Sequence, residues 1–260
     1  MTGRPEELFR SAAPYYARYR PGYPPEFFSY LRDRLHLDGT QRVLDLGCGT
    51  GQISIPLANL VGEVIAVDPE PGMLDEARLR ATELDTIDWR IGDSTALTTM
   101  GLGALDLTTM GASFHWMDCD AVLRDLDTIT VPGGAVVVAS GSAPGITTES
   151  PPWAGAIAEV RARWLGSQRR RGSDPAEGHA EALARSPFSR VETVGWAWSL
   201  ERDLDALVGL QLSYSYSTPA LLGDQRAAFE HDLREALLEM SPSGTFTEHI
   251  RTEALVGTRP

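Results

Sequence analysis

A doubly wound α/β fold with a mostly parallel sheet is predicted by three observations. Short apolar runs alternate with amphipathic stretches from Pro24 to Ala139, the rhythm of strands joined by crossover helices. The first run, 42–46, passes into Gly47-Cys48-Gly49-Thr50-Gly51, a turn where backbone approaches a ligand without Cβ interference. The second run, Val64-Ile65-Ala66-Val67, closes on Asp68, where a carboxylate is placed to accept hydrogen bonds from a ribose diol.

The elements follow in order. Prolines at its start and the stripe Phe27, Phe28, Leu31, Leu35 predict a helix over 24–37. Strand 42–46 precedes the glycine turn and a helix over 52–60. Strand 63–67 is followed by a helix over 69–82 with Met73, Leu74, Ala77 and Ala81 on one side. Strand 87–91 ends at Gly92-Asp93, and strand 104–110 ends at Gly111-Ala112-Ser113. A helix over 118–129 leads through Pro132-Gly133-Gly134 to strand 135–139. The pattern then changes. Residues 141–152 read as a Gly/Ser/Thr/Pro loop, followed by helices over 153–166 and 176–185. Strand character returns at 190–199, where Trp196 and Trp198 alternate. Helices over 203–212 and 224–240 and a strand over 246–257 complete the chain. The expected organisation is an N-terminal lid (1–40), a cofactor-binding core (41–140), a cap insertion (141–186) and a segment completing the sheet and cap (187–260).

Composition narrows the chemistry. The 260 residues carry a net charge of −13, which argues against nucleic acid as a general partner. No lysine is present, so Schiff-base catalysis, lysine-anchored pyridoxal phosphate and a lysine-bearing phosphate loop are set aside. No window is long and apolar enough to span a bilayer, and the first residues have no apolar signal core. Cys48 and Cys119 are the two cysteines; Cys48 sits inside the glycine turn, so a disulfide is not expected and a reducing cytoplasm fits. The oligomeric state is left open.

The ligand class is read from charge. A dinucleotide fingerprint, Gly-x-Gly-x-x-Gly, would need glycine at Gln52 or Ser54. Asp45, read as lying at the mouth of the turn, would repel a pyrophosphate and attract an ammonium or sulfonium. That combination points to S-adenosylmethionine over a nicotinamide dinucleotide. A metal site is not expected: Asp118 and Asp120 have the spacing of ligands but no histidine–carboxylate set, and they read as helix caps.

With Asp45, the glycine turn, Asp68, Gly92-Asp93 and Pro132-Gly133-Gly134 in view, the chain resembles the class I S-adenosylmethionine-dependent methyltransferases. Tyr19-Arg20-Pro21-Gly22-Tyr23-Pro24 and Phe114-His115-Trp116-Met117-Asp118 are similar to the small-molecule branch, which includes trans-aconitate methyltransferase relatives and many natural-product methyltransferases. The resemblance implies a Rossmann-like, seven-stranded sheet whose final strand is antiparallel, with helical cap insertions. It implies that Gly47 and Gly49 meet the methionine moiety, Asp68 the ribose, Met73 the adenine face and Asp93 the adenine amino group. Cys48, Pro69, Ser94 and Gly111 complete the expected cofactor set. The place of the Asn/Asp-Pro-Pro-Tyr/Phe element common among nucleic-acid and amide N-methyltransferases is held by Gly111–Phe114, which favours a small-molecule acceptor.

Side-chain roles carry alternatives. His115 is a candidate general base or a loop-shaping hydrogen-bond partner. Phe114 and Trp116 are candidates for the acceptor wall or a cation–π contact, or else core aromatics. Tyr15, Tyr16, Tyr19 and Arg20 are a candidate lid over the cofactor, Tyr16 also a catalytic candidate, or else an amphipathic helix. The run Arg169-Arg170-Arg171 reads as a solvated loop before it reads as an anion site. Alternatives to an enzyme methylating a small acceptor, plausibly a natural-product intermediate, are a cofactor-holding regulator without turnover and a nicotinamide oxidoreductase.

Overall fold

A computed structural model describes residues 11–140, 151–166 and 175–260, with side chains in the last segment described from 178 onward. The arginine run 169–171 and most of the loop 141–152 lie outside the described residues. The chain forms two compact units. The first holds residues 1–21, 144–171 and 197–251, and the second holds 22–143, 172–196 and 252–260.

The second unit is built on the sheet. Strands β1 (Arg42–Leu46), β2 (Glu63–Asp68), β3 (Ile87–Ile91), β4 (Leu105–Gly111), β5 (Thr130–Ser140), β6 (Arg190–Asp203) and β7 (Thr245–Thr258) stand in the order β3-β2-β1-β4-β5-β7-β6. The pairs β1–β2, β1–β4, β2–β3 and β4–β5 are parallel, and β5–β7 is antiparallel. This is the seven-stranded Rossmann-like sheet with an antiparallel last strand that the resemblance implies. Strands β1 and β2 are buried along nearly their whole length, as continuous apolar runs demand when helices cover both faces. β6 and β7 continue along the chain into the first unit.

The helix α2 (Pro25–Leu35; α1 is Ala13–Tyr19) was grouped with the lid by sequence, yet it packs in the sheet's unit. Phe27 and Leu31 are fully buried in one core cluster with Val43, Val64 and Val137. The reason is its apolar stripe, which has no other face to bury. Its end is marked by His36 in the left-handed region, φ 54°.

Two further differences from sequence have local causes. The helix expected over 52–60 is regular only at α3 (Ser54–Leu57). Pro56 has no N–H to donate, and Asn59 and Leu60 then turn to the tighter i−3 carbonyls of Pro56 and Leu57. β5 begins at Thr130 rather than 135, because Thr130 pairs with Leu105 before Ala135 pairs with Leu107, and Pro132-Gly133-Gly134 bulges between. α4 (Pro71–Arg80) and α5 (Cys119–Ile129) follow expectation, α5 capped by Asp118 Oδ1, which accepts from the Ala121 N–H at 3.0 Å. Asp120 pairs with Arg185 at 2.8 Å.

The segment read as a cap insertion divides between the units. α6 (Ala154–Leu165) belongs to the first; α7 (Pro175–Ala184) belongs to the second, where Ala182 and Leu183 join Phe114, Val136 and Phe188 in the core. The first unit also contains α1, α8 (Leu204–Leu212), α9 (Pro219–Leu222) and α10 (Arg226–Met240), closed around Ile157, Leu207, Phe229, Leu233 and Phe246. Its interior holds an ion pair, Arg202 Nε to Glu248 Oε2 at 2.6 Å, with Arg202 also donating to the Tyr19 carbonyl at 2.9 Å.

Phe27 makes edge contacts with Phe28 and Trp196, centroids 5.0 and 5.6 Å away. Phe27→Ala is expected to lower unfolding free energy by about 3–5 kcal/mol, read from the urea midpoint; a loss under about 1 kcal/mol would show that the site collapses around the missing ring.

Candidate functional site

β1 lies between β2 and β4, so the winding of the sheet reverses beside it, and open α/β sheets bind ligands outside such a reversal. Two loops meet there. The glycine turn after β1 places Gly47 and Gly49 at φ 72° and 55°, a region that favours glycine. A Cβ on Gly47 would also lie 2.5 Å from Ser113 Cβ, so the turn and the end of β4 approach each other only because residue 47 has no side chain.

The turn's amides point inward. The N–H groups of Gly47 and Cys48 donate to the Val67 carbonyl at 2.8 and 3.0 Å. Gly49 N–H donates to Asp68 Oδ2 at 2.8 Å, and Gly51 N–H to the Cys48 carbonyl at 3.0 Å. A pyrophosphate-binding turn works by offering such amides to the ligand. Here they are already committed within the protein.

Carboxylates replace them as the dominant charge. Asp45 is 1% exposed, lying beneath the turn and not at its mouth as sequence suggested, because β1 carries it inward. Its Oδ2 accepts from Ser54 Oγ at 2.5 Å and its Oδ1 from Thr109 Oγ1 at 2.8 Å, Thr109 being its register partner on β4. Burial pushes its pKa up to about 6, opposed by those two hydroxyls. Asp68, 8% exposed, is likewise pushed up to about 6 by burial, with Asp45 and Glu70 adding repulsion, while the Glu70 and Gly49 amides work in the other direction. Among the described residues, no arginine forms an ion pair with either carboxylate. Both are largely ionised at neutral pH, and the field they leave favours a cation.

β4 ends in a strained turn. A Cβ on Gly111 would lie 2.6 Å from the Tyr23 hydroxyl and from Ile53 Cδ1, and Ala112 follows at φ 52°. Ser113 Oγ donates to the Leu46 carbonyl at 2.7 Å, tying this turn to the end of β1. The next residues carry aromatic rings. Phe114 is buried in the core, so its ring supports the loop from below and offers no open wall; Trp116 is exposed. His115 is half-buried, its ring 5.2 Å from Trp116 and 6.4 Å from His179. Burial, then the neighbouring His179, lowers its pKa to about 4, so it is a neutral imidazole at physiological pH.

Other expected residues fall around these. Asp93 is exposed and Oδ1 accepts from Thr95 N–H at 2.8 Å, capping the short turn Ser94–Ala96; Ser94 begins that turn. Met73 is buried on α4, Pro69 half-buried after β2, and Cys48 a buried free thiol whose pKa burial raises. The N-terminal aromatics belong to the first unit. There Tyr15 and Tyr19 stack at 6.2 Å, the Tyr15 hydroxyl accepts from Arg226, and Tyr19 packs where a Cβ on Gly209 would lie 2.2 Å from its ring. Arg20 donates to Ser213 Oγ at 2.9 Å and lies over the rings of Tyr214 and Tyr16 at 4.1 and 4.9 Å. Among the described residues, no group of three or more His, Cys, Asp and Glu is set to hold a metal ion.

Tyr23, Thr109 and His179 escaped the sequence reading; Thr109 had no local signal, because it meets Asp45 only through the β1–β4 register. Tyr23 lay inside the quoted Tyr19–Pro24 segment, which was the available signal. His179 had none, since its position beside His115 exists only once α7 packs on the core.

The raised carboxylates set a pH dependence. Unfolded aspartates release their protons near 3.9, whereas these hold them to about 6, so the folded chain binds more protons between those values. Their contribution makes the ligand-free protein less stable as pH rises through that window. Asp45→Asn is expected to flatten the fall in urea-unfolding free energy between about pH 4 and 6; an unchanged slope would show that Asp45 does not carry it.

The chain is similar to known proteins. A family described as a methyltransferase domain matches residues 43–134. A ubiquinone biosynthesis O-methyltransferase of Xanthomonas oryzae pv. oryzae is 32% identical over 188 residues, covering 72% of each chain. An uncharacterized methyltransferase of Mycobacterium tuberculosis is 29% identical over 208 residues, 80% of this chain and 76% of its own. The crystal structure of a SAM-dependent methyltransferase from Geobacter sulfurreducens, in complex with S-adenosyl-L-homocysteine, shares the fold over 98% of both chains at TM-score 0.54 and 17% identity. The committed amides and buried carboxylates at the sheet's reversal, with these relatives, make the chain a member of the class I S-adenosylmethionine-dependent methyltransferases.

Proposed function

We propose that the second unit holds S-adenosylmethionine at the glycine turn and that its methyl group goes to a small-molecule acceptor at the Gly111–Trp116 turn, in natural-product biosynthesis. The observation that carries this is the pairing of inward-committed amides with buried carboxylates that, among the described residues, have no arginine ion-pair partner. It suits a cationic donor and opposes the pyrophosphate of a nicotinamide dinucleotide. The two thiols, both free, are in keeping with the cytoplasmic location expected from cysteine usage.

When bound, the donor supplies a methyl group already activated by its sulfonium. The protein's own work is placement. Gly47 lets the main chain approach closely; Asp68, whose oxygens each accept one backbone N–H, keeps lone pairs for a ribose diol. Asp45 stabilises positive charge through its field, its oxygens being engaged by Ser54 and Thr109. Met73, Pro69, Asp93 and Ser94, around the ends of β2 and β3, are assigned to the adenine side. Holding donor and acceptor in line is worth on the order of 7–11 kcal/mol of the barrier.

Calorimetry with S-adenosylmethionine and S-adenosylhomocysteine is expected to show binding of both, and none of NAD. Asp68→Ala is expected to weaken donor binding about tenfold or more, roughly 1.4 kcal/mol. Dinucleotide binding without donor binding would overturn the assignment, and donor binding without turnover across a broad acceptor panel would favour a regulator.

A further inference from the structure

Gly47, Gly49 and Gly51 all sit at positive φ, 72°, 55° and 82°. Glycine adopts other conformations as readily, so the shape of this turn has to be imposed by its contacts. One continuous stretch of chain, β2 followed by α4, supplies contacts on both parts of it. The Val67 carbonyl and the Asp68 carboxylate, at the end of β2, take the amides of Gly47, Cys48 and Gly49. Arg80, at the end of α4, takes the next residue: its Nη1 donates to the Thr50 carbonyl at 2.9 Å and to Thr50 Oγ1 at 3.3 Å.

The reach has a simple origin. Side chains on a helix lean toward its N-terminus, so a long side chain in the last turn of α4 extends back toward the end of β2, where the helix began. Its partner is fixed in place. Thr50 is fully buried, and a Cβ on the following Gly51 would lie 2.9 Å from Trp89 Cη2 on β3 and 3.0 Å from Ile55 Cδ1. A basic residue in the last turn of a helix also complements the helix dipole. Arg78 shares that property, yet it donates to Asp75 at 3.1 Å and to the Trp89 carbonyl at 3.3 Å, with no bond to the turn.

We propose that Arg80 is a positioning residue for the donor: by holding Thr50 it keeps the Gly49 N–H on Asp68 and so aims that carboxylate at the ribose. This rests on the donor site proposed above. Asp68 Oδ2 then stays with Gly49 while Oδ1 stays with the Glu70 N–H, and the remaining lone pairs face one direction. The guanidinium suits the task because its fixed fork can serve the carbonyl and the hydroxyl of one residue together.

The test is calorimetry of the full chain with S-adenosylhomocysteine, with the urea midpoint as the check on folding; Arg80 is exposed, so its replacement leaves the core intact. Arg80→Met keeps the stem and removes the donors, and it is expected to weaken binding about tenfold, the size of one hydrogen bond to a charged group. Arg80→Lys returns a donor and is expected to recover most of the loss. Arg78→Met removes the same charge from the same helix end and is expected to stay within about twofold of the parent. Unchanged affinity in Arg80→Met, an equal loss in Arg78→Met, or no recovery in Arg80→Lys overturns the proposal. The chain contains no lysine, so Arg80→Lys gives a single side-chain signal after carbon-13 lysine labelling. Its ε-methylene protons are expected to be inequivalent, as in an anchored ammonium; averaged signals overturn the contact with Thr50. Failure of the parent protein to bind S-adenosylhomocysteine overturns the donor assignment instead, and the lysine signal still reports the contact.

Discussion

The buried carboxylate of Asp45 is held by Ser54 from the start of α3 and Thr109 from β4, so a single side chain fastens the glycine turn's exit to the neighbouring strand. Taking a carboxylate out of water is unfavourable unless charge-assisted hydrogen bonds offset it, and each such bond is worth about 1.5–3 kcal/mol. Two hydroxyls therefore hold the anion in place without neutralising it. The turn above is shaped by its own amides on Val67 and Asp68, which leaves the local field to the carboxylates. A cationic ligand is stabilised in that field, and a polyphosphate is not.

The same economy governs the end of β4. Gly111 has no side chain because Tyr23 and Ile53 occupy the space, and Ala112 sits in the left-handed region as the chain reverses. Ser113 then bonds to the end of β1 and fills the volume that a side chain at position 47 would need. The glycine turn and the turn after β4 are thus one packed object. Their relative position is set by close contact.

Much of the fold was legible along the chain. Strand and helix rhythm placed β1 to β4 within a residue or so, and an aspartate before an amphipathic run located the α5 cap. The misplacements came from local chemistry that competes with periodicity: the missing N–H of Pro56 shortened a helix, and a bulge at Pro132-Gly133-Gly134 hid the start of β5. At the site, the residue types around the glycine turn could be named from order alone. The burial of Asp45 and Phe114, and the presence of His179, could not.

By itself, the sequence determined the glycine turn, the carboxylates near the ends of β1 and β2, and hence the charge of the ligand, because these depend on residue type at short separation. The tertiary structure alone decided which way each group faces. Strand register set Asp45 against Thr109, and the packing of α7 brought a second imidazole to His115 across more than sixty residues of chain. Side-chain direction follows from which face of an element finds a partner to bury against, and no local pattern in the chain carries that partner's identity.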